Sequence, residues 1–493
     1  MFVTAQEMYD LEESVFASGI PAESLMDEAG RKVAREILRR FHRPTGGRAI
    51  AFVGKGNNGA DAMVALRHLH EAGWSVALRC ATPPDTFQGL PAKKFAELGK
   101  IDLLSSFTND DTSGPLVLID GLLGIGTTGN LRDPLVGLAR EINELSAHHA
   151  ASVVAVDVPS GLNCDTGECG PDTVRADLTC TLGSPKTGLV ADQAANQVGS
   201  LALLPVQGLS DWDLGRDHLI CPPTLSVAKL KRPYDFHKGQ AGRVGLIAGS
   251  RGLAGAAALS SLGALHGGGG LVTLYLPEDD YPLILPLVPV EVMVKPVRSY
   301  REVLDDDLDA LAIGPGLGAR NGADLLAVIN NFERNTVIDA DGLNLIARRS
   351  SLSALRENHL VTPHPGEMAR LLAPAELPST RRETALAFTA RSPAGLLFKG
   401  SRTIVTATGQ ALAYNTTGTP GMATGGQGDV LTGLLAALLA RGLPLLEAAK
   451  IGTWLAGRAA EIALLTESEE SLSATLTARH LGAAFQDLRR NQL

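Results

Sequence analysis

Apolar and polar positions follow two periods along this chain. Between residues 21 and 41 the apolar residues Leu25, Ala29, Val33, Ile37 and Phe41 recur every four positions. That spacing predicts a helix with Pro21 in its first turn. An apolar run at 49–53 reads as a strand, and after a Gly/Asn loop a second helix is predicted from about 59 to 71. Further strands are predicted at 74–79, 116–119 and 152–156, with helices near 91–98 and 132–145 between them. Runs at 178–182 and 201–204 extend the series. Strand and helix in alternation predict a parallel sheet covered on both faces.

The pattern weakens between 207 and 236, where Pro222, Pro223 and Pro233 fall in a stretch without a period. A boundary is expected there, giving a domain at 1–212, a linker at 213–236 and a domain at 237–493. The alternation then restarts. Strands are predicted at 244–248, 271–276, 310–313, 336–339, 396–399 and 403–407. Helices are predicted at 254–266, 323–330, 381–390, 429–440, 446–464 and 477–489. The halves do not repeat each other. Both are α/β.

Composition narrows the function classes. Net charge is -9 and aromatics are 4% of 493 residues, so neither a global basic footprint nor a stacking surface for nucleic acid is expected. The apolar stretch at 430–440 stops at Arg441, short of the ~18 residues a membrane span needs, and reads as a core helix. Five cysteines without a C-x-x-C spacing make a poor disulfide framework and a poor zinc site. The acidic N-terminus lacks a basic-then-apolar signal pattern, so a reduced, cytoplasmic compartment is expected.

In the first half, Gly54-Lys55-Gly56-Asn57-Asn58-Gly59 follows a strand and precedes a helix. Glycines there permit a tight turn, and helix N-terminal amides attract phosphate. A Gly-rich connector would look similar, but it has no need of Asn57, Asn58 and Asp61. Asp120 ends another strand and opens a glycine-rich loop, and Asp157 ends a third and opens Asp157-Val158-Pro159-Ser160-Gly161. A single strand-end Asp is commonly a cap. Three polar loops at three strand ends converge on one crevice if the sheet is parallel.

These blocks, with Leu25-Met26-Asp27-Glu28-Ala29-Gly30, resemble the epimerase domain that acts on hydrated NADH and NADPH. The resemblance covers about residues 1–210 and implies a Rossmann-like doubly wound sheet. It implies substrate contacts from Asn57, Asn58, Gly59, Ala60 and Asp61, from Gly124, Ile125, Gly126, Thr127, Thr128, Gly129 and Asn130, and from Asp157. It also implies potassium held by Asn58, Asp120 and Ser160, hard oxygen donors suited to such a cation. Asp157 is expected as general base, its pKa raised by a closed crevice. One departure stands out. The family usually continues Gly-Gly-Asp-Gly after the two Asn residues, whereas this chain reads Gly59-Ala60-Asp61-Ala62. An added Cβ is penalised wherever φ is positive.

In the second half, Gly425-Gly426-Gln427-Gly428-Asp429 runs straight into the apolar helix. Backbone amides there can cradle phosphate, and Asp429 can accept a hydroxyl proton facing a phosphoryl group. An N-cap after a flexible loop is the alternative. Lys399-Gly400-Ser401-Arg402-Thr403 ends a strand and flanks either a nucleotide or solvent. Gly314-Pro315-Gly316-Leu317-Gly318 forms a stiff loop open to a ligand. Asp339 and Asp341 position magnesium through water or serve as turn residues. His364 sits between Pro363 and Pro365, a rigid setting for a ligand contact.

Together these resemble the ribokinase-like dehydratase that restores NAD(P)H from its hydrate, over about residues 225–493. Lys238-Gly239-Gln240-Ala241-Gly242 and Thr362-Pro363-His364-Pro365-Gly366-Glu367-Met368 are further matching blocks. The resemblance implies Ala256, Gly318, His364 and Asp429 at the hydrated nucleotide. It implies Lys399, Gly400, Ser401, Arg402, Thr403 and Gly428 at ADP, the phosphoryl donor that leaves as AMP. Magnesium is expected there. Gln427 stands where the family more often has a small residue, and that position is read as tolerant. A homo-oligomer without membrane or nucleic-acid partners is expected. The rival reading is a vitamin or sugar kinase fused to a dinucleotide-binding or non-catalytic module.

Overall fold

The computed structural model describes residues 1–41, 47–106, 116–126, 129–149, 151–210, 212–349 and 352–490. The chain divides into two compact units, Met1–Asp213 and Leu214–Leu493.

The first unit is built on seven strands: β1 (Arg48–Val53), β2 (Ser75–Cys80), β3 (Asp102–Leu103), β4 (Leu116–Gly121), β5 (Ser152–Val156), β6 (Leu178–Leu182) and β7 (Ser200–Leu204). All pair in parallel, in the order β3-β2-β1-β4-β5-β6-β7. This is the doubly wound, Rossmann-like arrangement. Its order reverses between β1 and β4, which opens a crevice beyond their carboxyl ends. The helices are α1 (Ala5–Ala17), α2 (Ala22–Phe41), α3 (Asn57–Glu71), α4 (Gly89–Glu97), α5 (Leu135–His149) and α6 (Ala195–Val198). Thr4 caps α1 through the Glu7 amide. Alternate residues of β1 enter opposite cores. Ala49, Ala51 and Val53 pack with Val33 and Met63, while Ile50 and Phe52 pack with Leu138 and Ile142. The four-residue period of α2 becomes a buried stripe of Leu25, Ala29, Val33 and Ile37. At Gly30 a Cβ would lie 2.5 Å from Val64 Cβ, so the missing side chain lets α2 lie directly on α3.

The second unit carries ten strands: β8 (His218–Ile220), β9 (Arg243–Ile247), β10 (Leu271–Pro277), β11 (Met293–Val297), β12 (Ala310–Ile313), β13 (Asn335–Ile338), β14 (His359–Val361), β15 (Gly395–Phe398), β16 (Ile404–Thr406) and β17 (Ala413–Asn415). Their order is β11-β10-β9-β12-β13-β14-β15-β16-β17-β8, parallel from β11 to β15, with the reversal between β9 and β12. β16 runs antiparallel to both its neighbours. The helices are α7 (Ala254–His266), α8 (Tyr281–Ile284), α9 (Gly322–Asn331), α10 (Ala340–Arg348), α11 (Pro365–Leu372), α12 (Arg381–Thr389), α13 (Gln427–Ala440), α14 (Leu445–Ala463) and α15 (Ala474–Arg490). α13 is buried from Val430 to Ala440. It crosses α7 at two glycines: a Cβ on Gly263 would lie 2.1 Å from Val430 O, and one on Gly433 1.9 Å from Ser260 O. Among the described residues no helix is long and apolar enough to cross a membrane.

Three features lay outside the sequence reading. The segment read as a linker supplies β8, which pairs with β17 at the sheet edge. Three residues are too few to display a period, and prolines follow directly. Asp339 and Asp341 do not sit in an isolated turn, because α10 begins at Ala340. The acidic N-terminus forms α1 and packs on the first core through Met8 and Val15.

Candidate active sites

A cavity of about 580 Å³ occupies the crevice of the first unit. Asn57, Asn58 and Asp61 line it from α3, Gly124, Ile125 and Gly126 from the loop after β4, and Asp157 from the end of β5. The three strand-end loops therefore converge as expected. Gly59 and Ala60 do not line it. Gly59 packs its backbone on Gly54 O, 2.3 Å from where a Cβ would stand, and Ala60 turns into the core. Gly129 and Asn130 are exposed and do not line it either. Thr127 and Thr128 lie outside the described residues. Ala60 and Ala62 are fully buried in α3 at ordinary helical φ, so the departure from the family pattern adds no backbone strain.

Among the titratable residues at this cavity, sequence reasoning missed Tyr9 and Glu12 from α1, and Lys186. Lys186 follows β6, a fourth strand end, which was its one available signal. It is completely buried. Its Nζ lies 2.5 Å from Asp157 Oδ1 and donates to Leu182 O at 2.9 Å. The Leu182 amide also donates to Asp157 Oδ1, at 3.0 Å. Asp157 sits at φ +65°, a left-handed conformation rare for a non-glycine residue and frequent at functional sites. Asp157 is thus one half of a buried ion pair, and two further carboxyls, Asp61 and Glu12, line the same cavity. Burial first, then the charges of Asp157 and Glu12, raise Asp61 well above the usual carboxylate range. Burial and Asp157 raise Glu12.

Behind the cavity, Asp120 and Ser160 are both fully buried. Ser160 donates through its Oγ to Asp120 Oδ1 at 2.6 Å and through its amide to Oδ2 at 2.8 Å. Asn58 Nδ2 donates to Leu123 O at 2.8 Å, and Ser160 Oγ lies 3.2 Å from the same carbonyl. Burial pushes Asp120 up to about 6, against the bonds from Ser160 and Leu122. Among the described residues it has no cationic partner. A buried carboxylate, a hydroxyl, an amide side chain and a carbonyl within one hydrogen-bonded cluster are hard oxygen donors, and they fit a monovalent cation.

In the second unit, loops after five parallel strands meet at the reversal. Gly249, after β9, donates to Pro315 O at 2.8 Å, and Ser250 Oγ donates to Gly316 O at 2.8 Å. A Cβ on Gly316 would lie 2.7 Å from Ala256 Cβ, which joins Ala256 to the 314–318 loop. The Gly318 amide donates to Asp341 Oδ2 at 2.8 Å. Asp339 accepts Lys399 Nζ at 2.8 Å on Oδ1 and Thr432 Oγ1 at 2.9 Å on Oδ2. Lys399 also faces Glu367 at 3.8 Å. Lys399 is thus turned inward rather than solvated. Burial works against its charge, but Asp339, Glu367 and Asp429 outweigh it and hold the ammonium above its ordinary range.

Gly428 lies against this pair: a Cβ there would stand 3.5 Å from both Lys399 Nζ and Asp339 Oδ2. Gly426 takes φ +90° to start α13, and Asp429 occupies the first turn. Burial first, then the Asp339 charge, push Asp429 up to about 6, with Lys399 opposing. His364 caps α11, accepting the Gly366 amide on Nδ1 at 3.0 Å, and its Nε2 lies 3.6 Å from Glu367 Oε1. Gly400 and Ser401 are exposed. Arg402 and Thr403 are buried, and Arg381 donates to Arg402 O at 3.1 Å. These two therefore shape the loop from beneath. Asp339 and Asp341 are committed to protein partners, so they do not fit as direct magnesium ligands.

The geometry defines a class: two doubly wound α/β units, each with acidic side chains and a glycine-lined loop at its switch point. Comparison with known proteins makes this specific. Residues 244–482 match the family model described as NAD(P)H-hydrate dehydratase, and residues 22–188 match that described as YjeF-related protein N-terminus. The bifunctional NAD(P)H-hydrate repair enzyme Nnr of Gloeobacter violaceus is 36% identical over 469 residues, covering 89% of each chain. The enzyme of that name from Moorella thermoacetica is 35% identical over 96% of this chain and 94% of its own. A crystal structure of an ADP/ATP-dependent NAD(P)H-hydrate dehydratase from Bacillus subtilis, co-crystallised with ATP and Mg2+, is 26% identical. It covers 55% of this chain and 99% of that one, with a TM-score of 0.48. The chain belongs to the bifunctional NAD(P)H-hydrate repair enzyme family.

Proposed function

We propose that the first unit interconverts the R and S forms of hydrated NADH and NADPH, and that the second returns the S form to NAD(P)H at the expense of ADP. The observation that carries the reading is Asp429, in the first turn of α13 behind Gly425-Gly426 and beside the Lys399–Asp339 pair. Hydroxide is a poor leaving group. Asp429 takes the proton from the ring hydroxyl as that oxygen attacks the terminal phosphoryl group of ADP, and AMP departs. The ring nitrogen's lone pair then expels phosphate. Loss of a proton from the adjoining ring carbon restores the double bond.

Lys399, Gly428 and the α13 amides are assigned to the donor phosphates, and Gly400, Ser401, Arg402 and Thr403 to the loop that frames them. Ala256, Gly318 and His364 Nε2 are assigned to the hydrated nucleotide. Magnesium would be held by the donor phosphates and would neutralise their charge. In the first unit Asn58, Asp120, Ser160 and the Leu123 carbonyl would hold potassium, whose charge would compensate Asp120 and fix the loop after β4. Five free thiols support a reduced, cytoplasmic setting. A homo-oligomer is supported by the exposed run of Leu285, Leu287, Val290 and Met293 beside the edge strand β11. A monomer by sedimentation at micromolar concentration would refute it.

The test is recovery of nicotinamide absorbance from hydrated NADH with ADP and magnesium. Asp429→Asn should abolish most of it while nucleotide binding persists. Phosphorylation of a pyrimidine or sugar alcohol without that recovery would replace this reading with the kinase one. For the first unit, equal R-hydrate conversion by wild type and Asp157→Ala would remove the catalytic assignment of Asp157.

A further inference from the structure

The cavity of the first unit holds more carboxyl groups than its cations match. Glu12, Asp61 and Asp157 all face it, with the exposed Lys55 and the buried Lys186. Lys186 is committed to Asp157 and to Leu182 O. Asp61 and Glu12 have neither an ion pair nor a side-chain hydrogen bond among the described residues. Asp61 stands one turn along α3 from Asn57 and Asn58, on the segment held rigid against α2 at Gly30. The cavity thus contains two carboxyl groups in opposite settings. One is bound by an ammonium group and a backbone amide. The other has no ion pair among the described residues, and the carboxyls of Asp157, Glu12 and Asp27 outnumber Lys186 around it.

Inverting the hydroxyl-bearing carbon of the hydrate calls for both kinds of group. Its hydroxyl must leave as water, so it needs a proton donor. Water must then add to the opposite face, so a proton acceptor is needed there. Two carboxyl groups in different surroundings, one held by a cation and one without such a partner, divide such roles.

We propose that Asp61 and Asp157 form an acid–base couple, with Asp61 donating the proton to the departing hydroxyl and the Lys186-bound Asp157 receiving the proton of the incoming water. This rests on the epimerase reading above. In the R-to-S direction, the Asp61 O–H bond breaks and its proton joins the ring hydroxyl. The carbon–oxygen bond breaks with its electron pair leaving on water, and the ring nitrogen's lone pair forms a carbon–nitrogen double bond. A water molecule adds to the other face, returning that pair to nitrogen, and its surplus proton goes to Asp157. The S-to-R direction uses the same two groups with roles exchanged, and cavity water returns the proton between turnovers. Lys186 is a positioning residue: it holds Asp157 Oδ1 and leaves Oδ2, which has no partner among the described residues, toward the reaction.

The groups facing Asp61 are Asp157, Glu12, Asp27 and Lys186. Asp61→Asn keeps the shape and removes the proton. Conversion of R-hydrate, measured above the uncatalysed rate, should fall at least about 100-fold in kcat, with binding of hydrated NADH by calorimetry within threefold of wild type. Wild-type kcat should fall as pH rises through the Asp61 titration, and Asp61→Asn should lose that limb. Lys186→Met should lower kcat and shift the profile, which loss of packing alone would not do.

If wild type does not accelerate R-to-S conversion at all, the epimerase reading itself fails. If wild type does and Asp61→Asn matches it, only the couple fails. If Glu12→Gln abolishes turnover and Asp61→Asn does not, the donor is misassigned and the proposal is overturned. Should Asp61→Asn lower the melting temperature, the wild-type profile decides, because a flat alkaline side excludes Asp61 as donor.

Discussion

The dehydration step should rise with pH because its proton acceptor titrates near 6. Asp429 must be ionised to take the hydroxyl proton, and its carboxyl is pushed up to about 6 by burial and by Asp339. Roughly a tenth of the enzyme carries the ionised form at pH 5 and roughly nine-tenths at pH 7, so kcat should climb about tenfold across that interval. The direction of two perturbations follows from the same neighbours. Asp339→Asn removes the like charge and should move the limb to lower pH. Lys399→Met removes the compensating ammonium and should move it to higher pH, with a weaker hold on ADP as well. The assay is absorbance recovery at saturating ADP and hydrate, at fixed ionic strength, with the uncatalysed background subtracted. A flat wild-type profile between pH 5 and 7 would refute Asp429 as the acceptor. An upward shift in Asp339→Asn would refute the electrostatic account of its environment.

The remaining predictions concern positions away from proton transfer. Potassium chloride should raise the melting temperature of the first unit above that in equal sodium chloride, and Asp120→Asn should erase the difference, because a cation bound only by the folded state stabilises it. Gly314→Ala should cripple ADP-dependent dehydration while leaving R-to-S conversion intact. Gly314 takes φ +135°, and a Cβ there would lie 1.8 Å from Asp339 O, so the loop carrying Asp339 must move. Leu434→Ala, at a fully buried site on α13, should destabilise the second unit by about 2–5 kcal/mol, read by denaturant unfolding. An unchanged midpoint would contradict the packing of α13 in the core.

Much of the architecture is written locally. The strands at 152–156, 178–182 and 310–313 and the helix at 254–266 have the bounds their apolar pattern predicts, since one buried face per element leaves a period in the sequence. The glycine loops, the strand-end acids and Asp429 were legible for a related reason, because a backbone that must approach phosphate excludes side chains. β3, β8, β14 and β17 were not predicted, being two or three residues long, and β11 was missed because Lys295 and Pro296 break its apolar run. Nor was the contribution of α1 to the cavity, because an acidic helix reads as a solvated one until its place is known.

The sequence alone determined the two α/β halves, most of their longer helices and strands, and the loops able to meet a ligand, because these depend on neighbours in the chain. Which loops meet was decided by strand order. Pairing of β5 with β6 brings Lys186 to Asp157 across 29 positions, and packing of α13 beside the end of β13 brings Thr432 to Asp339 across 93. The acidity of Asp61, Asp120 and Asp429 was decided there too, since removal from water and the charge of a neighbour exist only once the sheet has brought those groups together.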